Sequence, residues 1–316
     1  MKILISGCCG FIGYHLTKAL LEQKHEVYGI DNINNYYSTK LKEARLKKIK
    51  KEYKNFAFEQ LDLSKISSLE NVQFDLAINL AAQPGVRLDW KENFRYLDSN
   101  ITGFHNFLDF CKFKNIKKII FASSSSVYGD GSNKSFKENQ KLSPRSLYAA
   151  TKLYNENLAE VFSNSFDTDI IGLRFFTVYG SWGRPDMAYY LFTDNIFKGK
   201  EITLFNKGKM ARDMTHISDI VKGIVSSINL IETNNLGYRI YNLGNNDPIK
   251  TIDLLRKIEF KLSKKATINE VSSKTESFYT HANLEKAEKE INYHPSVNLD
   301  EGLEEFVSWY ISYVSI

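Results

Sequence analysis

The sequence predicts an α/β protein built on a doubly wound parallel sheet, with a smaller α/β domain that binds substrate. Three observations predict it. Short β-branched runs alternate with longer amphipathic stretches through the first half of the chain. Three glycines, Gly7, Gly10 and Gly13, fall between the first such run and the first helical stretch. After Arg174 the alternation breaks, with Gly180, Gly183 and Pro185 close together and the later elements irregularly spaced.

Strands are expected at residues 2–6, 26–30, 56–60, 76–80, 118–122 and 169–174, and helices at 12–23, 39–53, 94–113 and 146–166. Six strands with helices on alternate faces make the sheet. The first domain is expected over residues 1–174, with a returning segment near 213–245, and the second over 175–316, the two interleaved. Residues 264–274 are polar enough for a surface connection, and 299–313 read as a final amphipathic helix.

Composition excludes other classes. A chain of 316 residues that is 43% hydrophobic and 25% charged is globular rather than disordered or fibrous. The net charge of +5, from 42 basic and 37 acidic residues, is spread along the chain, so no basic stripe suggests a nucleic-acid partner. No run of 18 apolar residues and no signal-peptide pattern is present, so no membrane partner is expected. Cys8, Cys9 and Cys111 lack the spacing of a disulfide framework or a zinc site, so no metal is expected and a reducing cytoplasm fits best.

The glycines define the first candidate site. Gly7 permits a tight turn, Gly10 lets the backbone approach a pyrophosphate, and Gly13 lets the helix pack close to the sheet, with the helix N-terminus facing the anion. Asp31 ends the second strand at the distance needed to accept hydrogen bonds from an adenosine ribose. No lysine or arginine follows it in residues 31–35, so a 2′-phosphate is disfavoured and NAD is expected in a Rossmann-like domain. Cys8 and Cys9 beside this loop read as small side chains filling a tight space, since adjacent cysteines rarely meet disulfide geometry.

The second candidate site handles protons. Tyr148 and Lys152 lie four residues apart on a predicted helix and so share one face. An ammonium beside a phenol favours phenolate; bringing tyrosine from about 10 to near 7 requires roughly 4 kcal/mol, which Lys152 and a cationic nicotinamide together supply. Tyr36 and Lys40 have the same spacing but read as loop and helix surface. Ser123 to Ser126 follow the fifth strand at the sheet's carboxyl edge, where ligands of open α/β sheets bind, and a hydroxyl there can share the substrate oxygen with Tyr148.

With these features in place, the sequence resembles the extended short-chain dehydrogenase/reductases, and among them the UDP-glucuronate 4-epimerase group of nucleotide-sugar epimerases. The segments that carry the likeness are residues 31–37, 146–152 and above all 173–188, Leu-Arg-Phe-Phe-Thr-Val-Tyr-Gly-Ser-Trp-Gly-Arg-Pro-Asp-Met-Ala. The resemblance implies that Ser124, Tyr148 and Lys152 are catalytic. It implies a cofactor site of Gly7, Gly10, Phe11, Ile12, Gly13, Asp31, Asn32, Asp62, Leu63, Leu80, Ala81, Ala82, Gln83, Asn100, Tyr148, Lys152 and Phe175. Substrate would meet Arg87, Ser125, Ser126, Thr177, Arg184 and Met187, with Phe205, Asn206 and Arg212 gripping the uridine diphosphate. The two-pronged guanidinium of Arg184 suits a hexuronate carboxylate on chemical grounds as well.

The group's pattern is not matched everywhere. Leu88-Asp89 stand where it has Tyr-Ser, Ser272-Ser273-Lys274-Thr275 where it has Gln-Pro-Gly-Asp, and His281-Ala282-Asn283 where it has Tyr-Ala-Asp. The expected reaction is conversion of UDP-glucuronate to UDP-galacturonate through a 4-keto sugar, in a homodimer paired through the helices beginning at Phe94 and Ser146. A place in cell-surface polysaccharide synthesis is a further implication. The alternatives are a 4-epimerase of a neutral UDP-sugar, a 4,6-dehydratase or decarboxylase, and a catalytically silent NAD sensor. The second would need an acid where Ser125 and Ser126 stand, unless Asp89 reaches in from its loop; the third would be expected to have lost part of the Ser124, Tyr148, Lys152 trio.

Overall fold

A computed structural model describes residues 1–69, 71–85, 88–130, 135–272 and 279–315. Its main sheet has seven parallel strands: β1 (Lys2–Ser6), β2 (Glu26–Asp31), β3 (Phe56–Gln60), β4 (Leu76–Asn79), β5 (Lys118–Ser124), β6 (Asp169–Phe175) and, returning late in the chain, Tyr238–Leu243. Between β1 and β6 run α1 (Phe11–Glu22), α2 (Thr39–Glu52), a broken helix at 94–113 and the long Leu147–Phe166. The strand order, with the late strand written first, is Tyr238–Leu243, β6, β5, β4, β1, β2, β3, so the chain reverses direction across the sheet between β1 and β4. That reversal opens a crevice at the carboxyl ends of the strands.

Fully apolar strands explain the two-sided burial. In β1, Ile3 and Ile5 pack with α1 into one layer, and Leu4 packs with Phe104, Phe107, Leu108 and Phe162 into the other, all at most 6% exposed. The three cysteines are buried and free, and the Cys8 and Cys9 sulfurs lie 3.9 Å apart.

Three expectations are corrected. First, β2, β5 and β6 run one or two residues further than the sequence suggested, which brings Asp31, Ser124 and Phe175 to the crevice edge. Second, the sheet has a seventh strand; Tyr238–Leu243 alternates in exposure over its first half because it is an edge, so it lacks the continuous apolar signal of the inner strands. Third, 94–113 is not one helix. A short turn, α3 (Phe94–Tyr96), is followed by a π-turn at Leu97–Thr102 and then α4 (Gly103–Phe113). The wider turn directs Asn100 into the protein, where it meets the backbone after β4.

The remaining elements complete the sheet's helical layers and build the smaller part that faces the crevice. They are α5 (the Leu147–Phe166 helix), β7 (Thr177–Tyr179), α6 (Ala188–Phe197), β8 (Glu201–Phe205), β9 (Ala211–His216), α7 (Ile217–Thr233), β10 (the Tyr238–Leu243 strand), β11 (Pro248–Lys250), α8 (Thr251–Leu262), β12 (Thr267–Val271), α9 (Glu285–Ile291) and α10 (Leu299–Val314). β11, β9 and β7 form one small sheet, and β12 and β8 another. Helices α6, α8 and α10 share a core rich in aromatics, among them Tyr189, Phe192, Phe306 and Tyr310. Among the described residues no helix is long and apolar enough to cross a membrane.

Candidate active site

A cavity of about 670 Å³ runs along the crevice between the main sheet and the smaller elements. Its floor begins at the glycine loop. Gly7 has φ +78°, and a Cβ there would stand 2.7 Å from the Ala81 backbone nitrogen, so only glycine lets β1 turn beneath the loop after β4. A Cβ on Gly13 would strike the Gly7 carbonyl. The loop is therefore shaped to bring backbone amides to a ligand, and Gly10, Phe11, Ile12 and Gly13 line the cavity where α1 begins. Asp31 stands at the end of β2, where its carboxylate accepts from the amides of Cys9 (3.1 Å) and Ile33 (2.8 Å). Burial pushes its pKa up, partly offset by those amides and by Lys42. Asn32, Asp62, Leu63, Leu80, Ala81, Ala82 and Phe175 also line the wall.

The catalytic candidates share the middle of the cavity. Ser124 ends β5, and its hydroxyl accepts from the Ser126 amide at 3.2 Å, holding Ser125 and Ser126 as a shelf. Behind the shelf, Glu156 and Arg174 form a buried fork with bonds of 2.9 and 2.7 Å, and Glu156 also accepts from Ser123. Tyr148 and Lys152, in the first turns of α5, face the shelf across the cavity. Ser146 caps that helix by accepting from the Ala149 amide at 3.1 Å.

Lys152 gives one hydrogen bond, 2.8 Å, to the Ala122 carbonyl, and its nitrogen lies 5.9 Å from the Tyr148 ring centre. Burial draws its pKa down to about 8 despite the help of Glu156. Burial raises the Tyr148 pKa, while Arg184 and the Ser124 hydroxyl pull it down. Arg184 is thus a second cation beside the phenol, while Lys152 also gives a hydrogen bond to β5. Two of the three ammonium donors of Lys152 remain without a partner among the described residues, which suits the hydroxyls of a ribose.

Arg184 sits on a strap, residues 180–187, between β7 and α6. Its side chain is 22% exposed. The fork expected for a substrate carboxylate already meets one: Nε and Nη2 donate to Asp186 at 3.0 and 2.5 Å. Asp186 also accepts from the Tyr36 hydroxyl at 3.1 Å. Cofactor-side residues pin the strap from beneath. His15 of α1 donates to the Ser181 carbonyl at 2.8 Å, and the fully buried Arg45 of α2 donates to the carbonyls of Trp182 (2.5 Å), Gly183 (3.1 Å) and Cys9 (2.9 Å) and to the Tyr37 hydroxyl (2.8 Å).

Thr177, Met187, Phe205 and Arg212 line the cavity. Three residues do not. Gln83 and Asn100 bond to each other instead: the Asn100 oxygen accepts from the Gln83 amide (2.7 Å), and its nitrogen donates to the Gln83 carbonyl (3.1 Å) and to Thr151 (3.0 Å). They brace the cofactor side from behind. Asn206 stands in a left-handed turn off the wall, its amide 4.0 Å from the Met210 sulfur. Asp89 is not an intruding acid, since it caps a short turn by accepting from the Lys91 amide at 2.9 Å and is exposed. Arg87 and residues 273–275 lie outside the described residues.

Tyr36, Lys42 and Asp186 line the cavity without having been singled out. The one sequence signal for Tyr36 was its membership of the segment 31–37. Lys42 was hidden in a basic helix that reads as surface, yet it donates to the Asn34 carbonyl and side chain at 2.8 Å each. Among the described residues no group of His, Cys, Asp and Glu is placed to hold a metal.

A parallel sheet with a glycine turn, an acid ending β2 and a Ser, Tyr, Lys trio over the crevice defines a nicotinamide-dinucleotide enzyme of the short-chain dehydrogenase/reductase type. Residues 3–244 match the NAD dependent epimerase/dehydratase family, and the chain belongs to it. It is 41% identical to protein CapI of Staphylococcus aureus, over 99% of both chains. It is also 41% identical to UDP-glucuronate 4-epimerase 4 of Arabidopsis thaliana, over 100% of this chain and 76% of that one. The crystal structure of UDP-glucuronic acid 4-epimerase from Bacillus cereus in complex with UDP-glucuronic acid and NAD superposes with a TM-score of 0.92 at 34% identity, covering 99% of this chain and 100% of that one.

Proposed function

We propose that the protein is an NAD-dependent isomerase that inverts C4 of a UDP-sugar, converting UDP-glucuronate to UDP-galacturonate. The observation that carries this reading is the placement of Ser124, Tyr148, Lys152 and Arg184 on the wall of the cavity that begins at the glycine loop. Its support is the likeness to relatives that bear this activity over nearly the whole chain.

The dinucleotide would lie on the α1 amides, with Asp31 on its ribose and Lys152 on the second ribose. When bound, NAD supplies the acceptor and donor of the C4 hydride. Tyr148 takes the proton of the 4-hydroxyl, and Ser124 shares that oxygen so that the alcohol and the 4-ketone are held alike. A bound nicotinamide cation would add to Arg184 in lowering the Tyr148 pKa, opposing the burial that raises it. Arg184 holds the sugar's carboxylate. A 4-ketone makes that group a β-keto acid, which loses CO₂ if the C5–C6 bond aligns with the carbonyl. No carboxylate replaces Ser125 or Ser126 on the shelf, so the elimination of water that a 4,6-dehydratase performs has no acid there.

One observation favours a neutral sugar: Asp186 already balances Arg184. Purified protein incubated with UDP-glucuronate, UDP-glucose and UDP-N-acetylglucosamine separates the readings. Interconversion of the acid alone is expected, and turnover of only the neutral sugars would reject the reading. Tyr148→Phe should lose at least about a hundredfold in kcat, the usual value of a placed acid–base group; full activity would defeat the mechanism. Arg184→Ala should raise KM for the acid or release CO₂, and unchanged kinetics would remove its role.

The protein is further read as a cytoplasmic homodimer. Phe94 (56% exposed), Phe113 (73%) and Val161 (62%), on α3, α4 and α5, present the apolar surface for a second copy.

A further inference from the structure

We propose that Asp186 is a positioning and fidelity-determining residue: it grips Arg184 from the side, so that the remaining edge of the guanidinium meets the sugar's carboxylate in an orientation that keeps CO₂ attached. The proposal rests on the reading of Arg184 given above.

A guanidinium has two edges that each offer a pair of parallel N–H bonds: the side edge, Nε and Nη2, and the end edge, Nη1 and Nη2. Asp186 occupies the side edge with both of its oxygens, at 3.0 and 2.5 Å. The end edge has no partner among the described residues. Asp186 is itself fixed, because Tyr36 donates to the same Oδ2 that Nη2 meets. Two residues apart on the strap, Arg184 and Asp186 would by geometry alone form a flexible surface pair. The strap beneath them is tied down, however, with the Ser181, Trp182 and Gly183 carbonyls held by His15 and Arg45. The plane of the guanidinium is therefore set before substrate arrives, and the side-chain freedom a long arginine would otherwise lose on binding is already removed.

An acid next to the acid-binding group is costly for affinity. It repels the incoming carboxylate, so charge recognition alone would argue against Asp186. Its presence fits a site in which geometry matters more than tightness. In the 4-keto sugar, loss of CO₂ breaks the C5–C6 bond; its electron pair moves to C5 and onto the 4-oxygen as an enolate, which then takes a proton from water at C5 to give a 4-keto pentose. That requires the C5–C6 bond to lie along the carbonyl π system. A carboxylate gripped by a guanidinium of fixed plane reaches that alignment less often while the 4-keto sugar turns over, whereas one held by a free-turning arginine reaches it more often.

The test uses Asp186→Asn and Tyr36→Phe beside Arg184→Ala, with the UDP-pentose to UDP-galacturonate ratio, kcat, KM and the calorimetric Kd for UDP-glucuronate measured in each. Asp186→Asn should raise the pentose fraction and lower kcat by roughly tenfold, while KM and Kd stay level or fall because repulsion is relieved. Tyr36→Phe should move in the same direction by less. A wild-type product ratio in Asp186→Asn overturns the proposal, as does a loss of kcat/KM that lies wholly in a raised KM. If Arg184→Ala leaves turnover and product ratio of the acid unchanged, the underlying reading of Arg184 fails; if Arg184→Ala alters them and Asp186→Asn does not, only the present proposal fails.

Discussion

His15 shows how one side chain links two halves of the site. Its Nε2 donates to the Ser181 carbonyl. Burial draws its pKa down to about 3. The folded pKa lies below the unfolded value of about 6.5, so the unfolded chain binds the proton more tightly. The stability His15 contributes is complete above about pH 6.5 and drains away as pH falls toward the folded pKa. His15→Gln, which keeps a donor without titrating, should flatten the decline in stability between pH 6.5 and 4, measured by urea titration; an unaltered profile would show that another group sets it.

At this scale the sequence revealed chemistry that is local and concealed chemistry that is not. The glycine turn, the serine shelf and the Tyr148–Lys152 pair each occupy a few consecutive residues and carry their meaning in their spacing. The bond from Tyr36 to Asp186 spans 150 residues and those from Arg45 to the strap 137 and 138, so no window of sequence contains them. Tyr36 with Lys40 had even been read as surface. Arg45 was equally invisible, lying in Lys-Leu-Lys-Glu-Ala-Arg-Leu-Lys-Lys, where a buried cation looks like its solvated neighbours.

Among the elements, the π-turn at Leu97–Thr102 places Asn100 against both the Gln83 backbone and Thr151 of α5. One side chain thereby connects the segment after β4 to the helix that carries Tyr148 and Lys152. Asn100→Ala would strand the buried Gln83 amide, and stability should fall by about 1–3 kcal/mol in urea titration. Retention of NAD through gel filtration should fall with it; loss of stability alone would make Asn100 a structural brace without influence on the cofactor side. The inner strands were readable because they are apolar on both faces, and helices α1, α2 and α5 because their periodicity is uninterrupted. The π-turn was not, since one added residue per turn leaves no composition signature, and the edge strand β10 was not, since half of its residues alternate in exposure.

For the molecule as a whole, the exposed Phe94, Phe113 and Val161 predict association. Sedimentation equilibrium should return twice the 36.4 kDa mass of the chain, and Val161→Lys with Phe113→Lys should return one. A single-chain mass for the unaltered protein would remove the dimer reading while leaving the catalytic one intact.

The acceptors around Arg45 are three carbonyls and one phenol, with no carboxylate among them. A buried positive charge, offset in part by the Asp31 carboxylate on the other side of Cys9, lies directly under the loop that would cradle a pyrophosphate. Mobile ions cannot reach it to screen it. The attraction it lends to a dinucleotide would thus survive concentrated salt, in contrast to the grip of a surface lysine, and would keep such a passenger aboard through many rounds of catalysis.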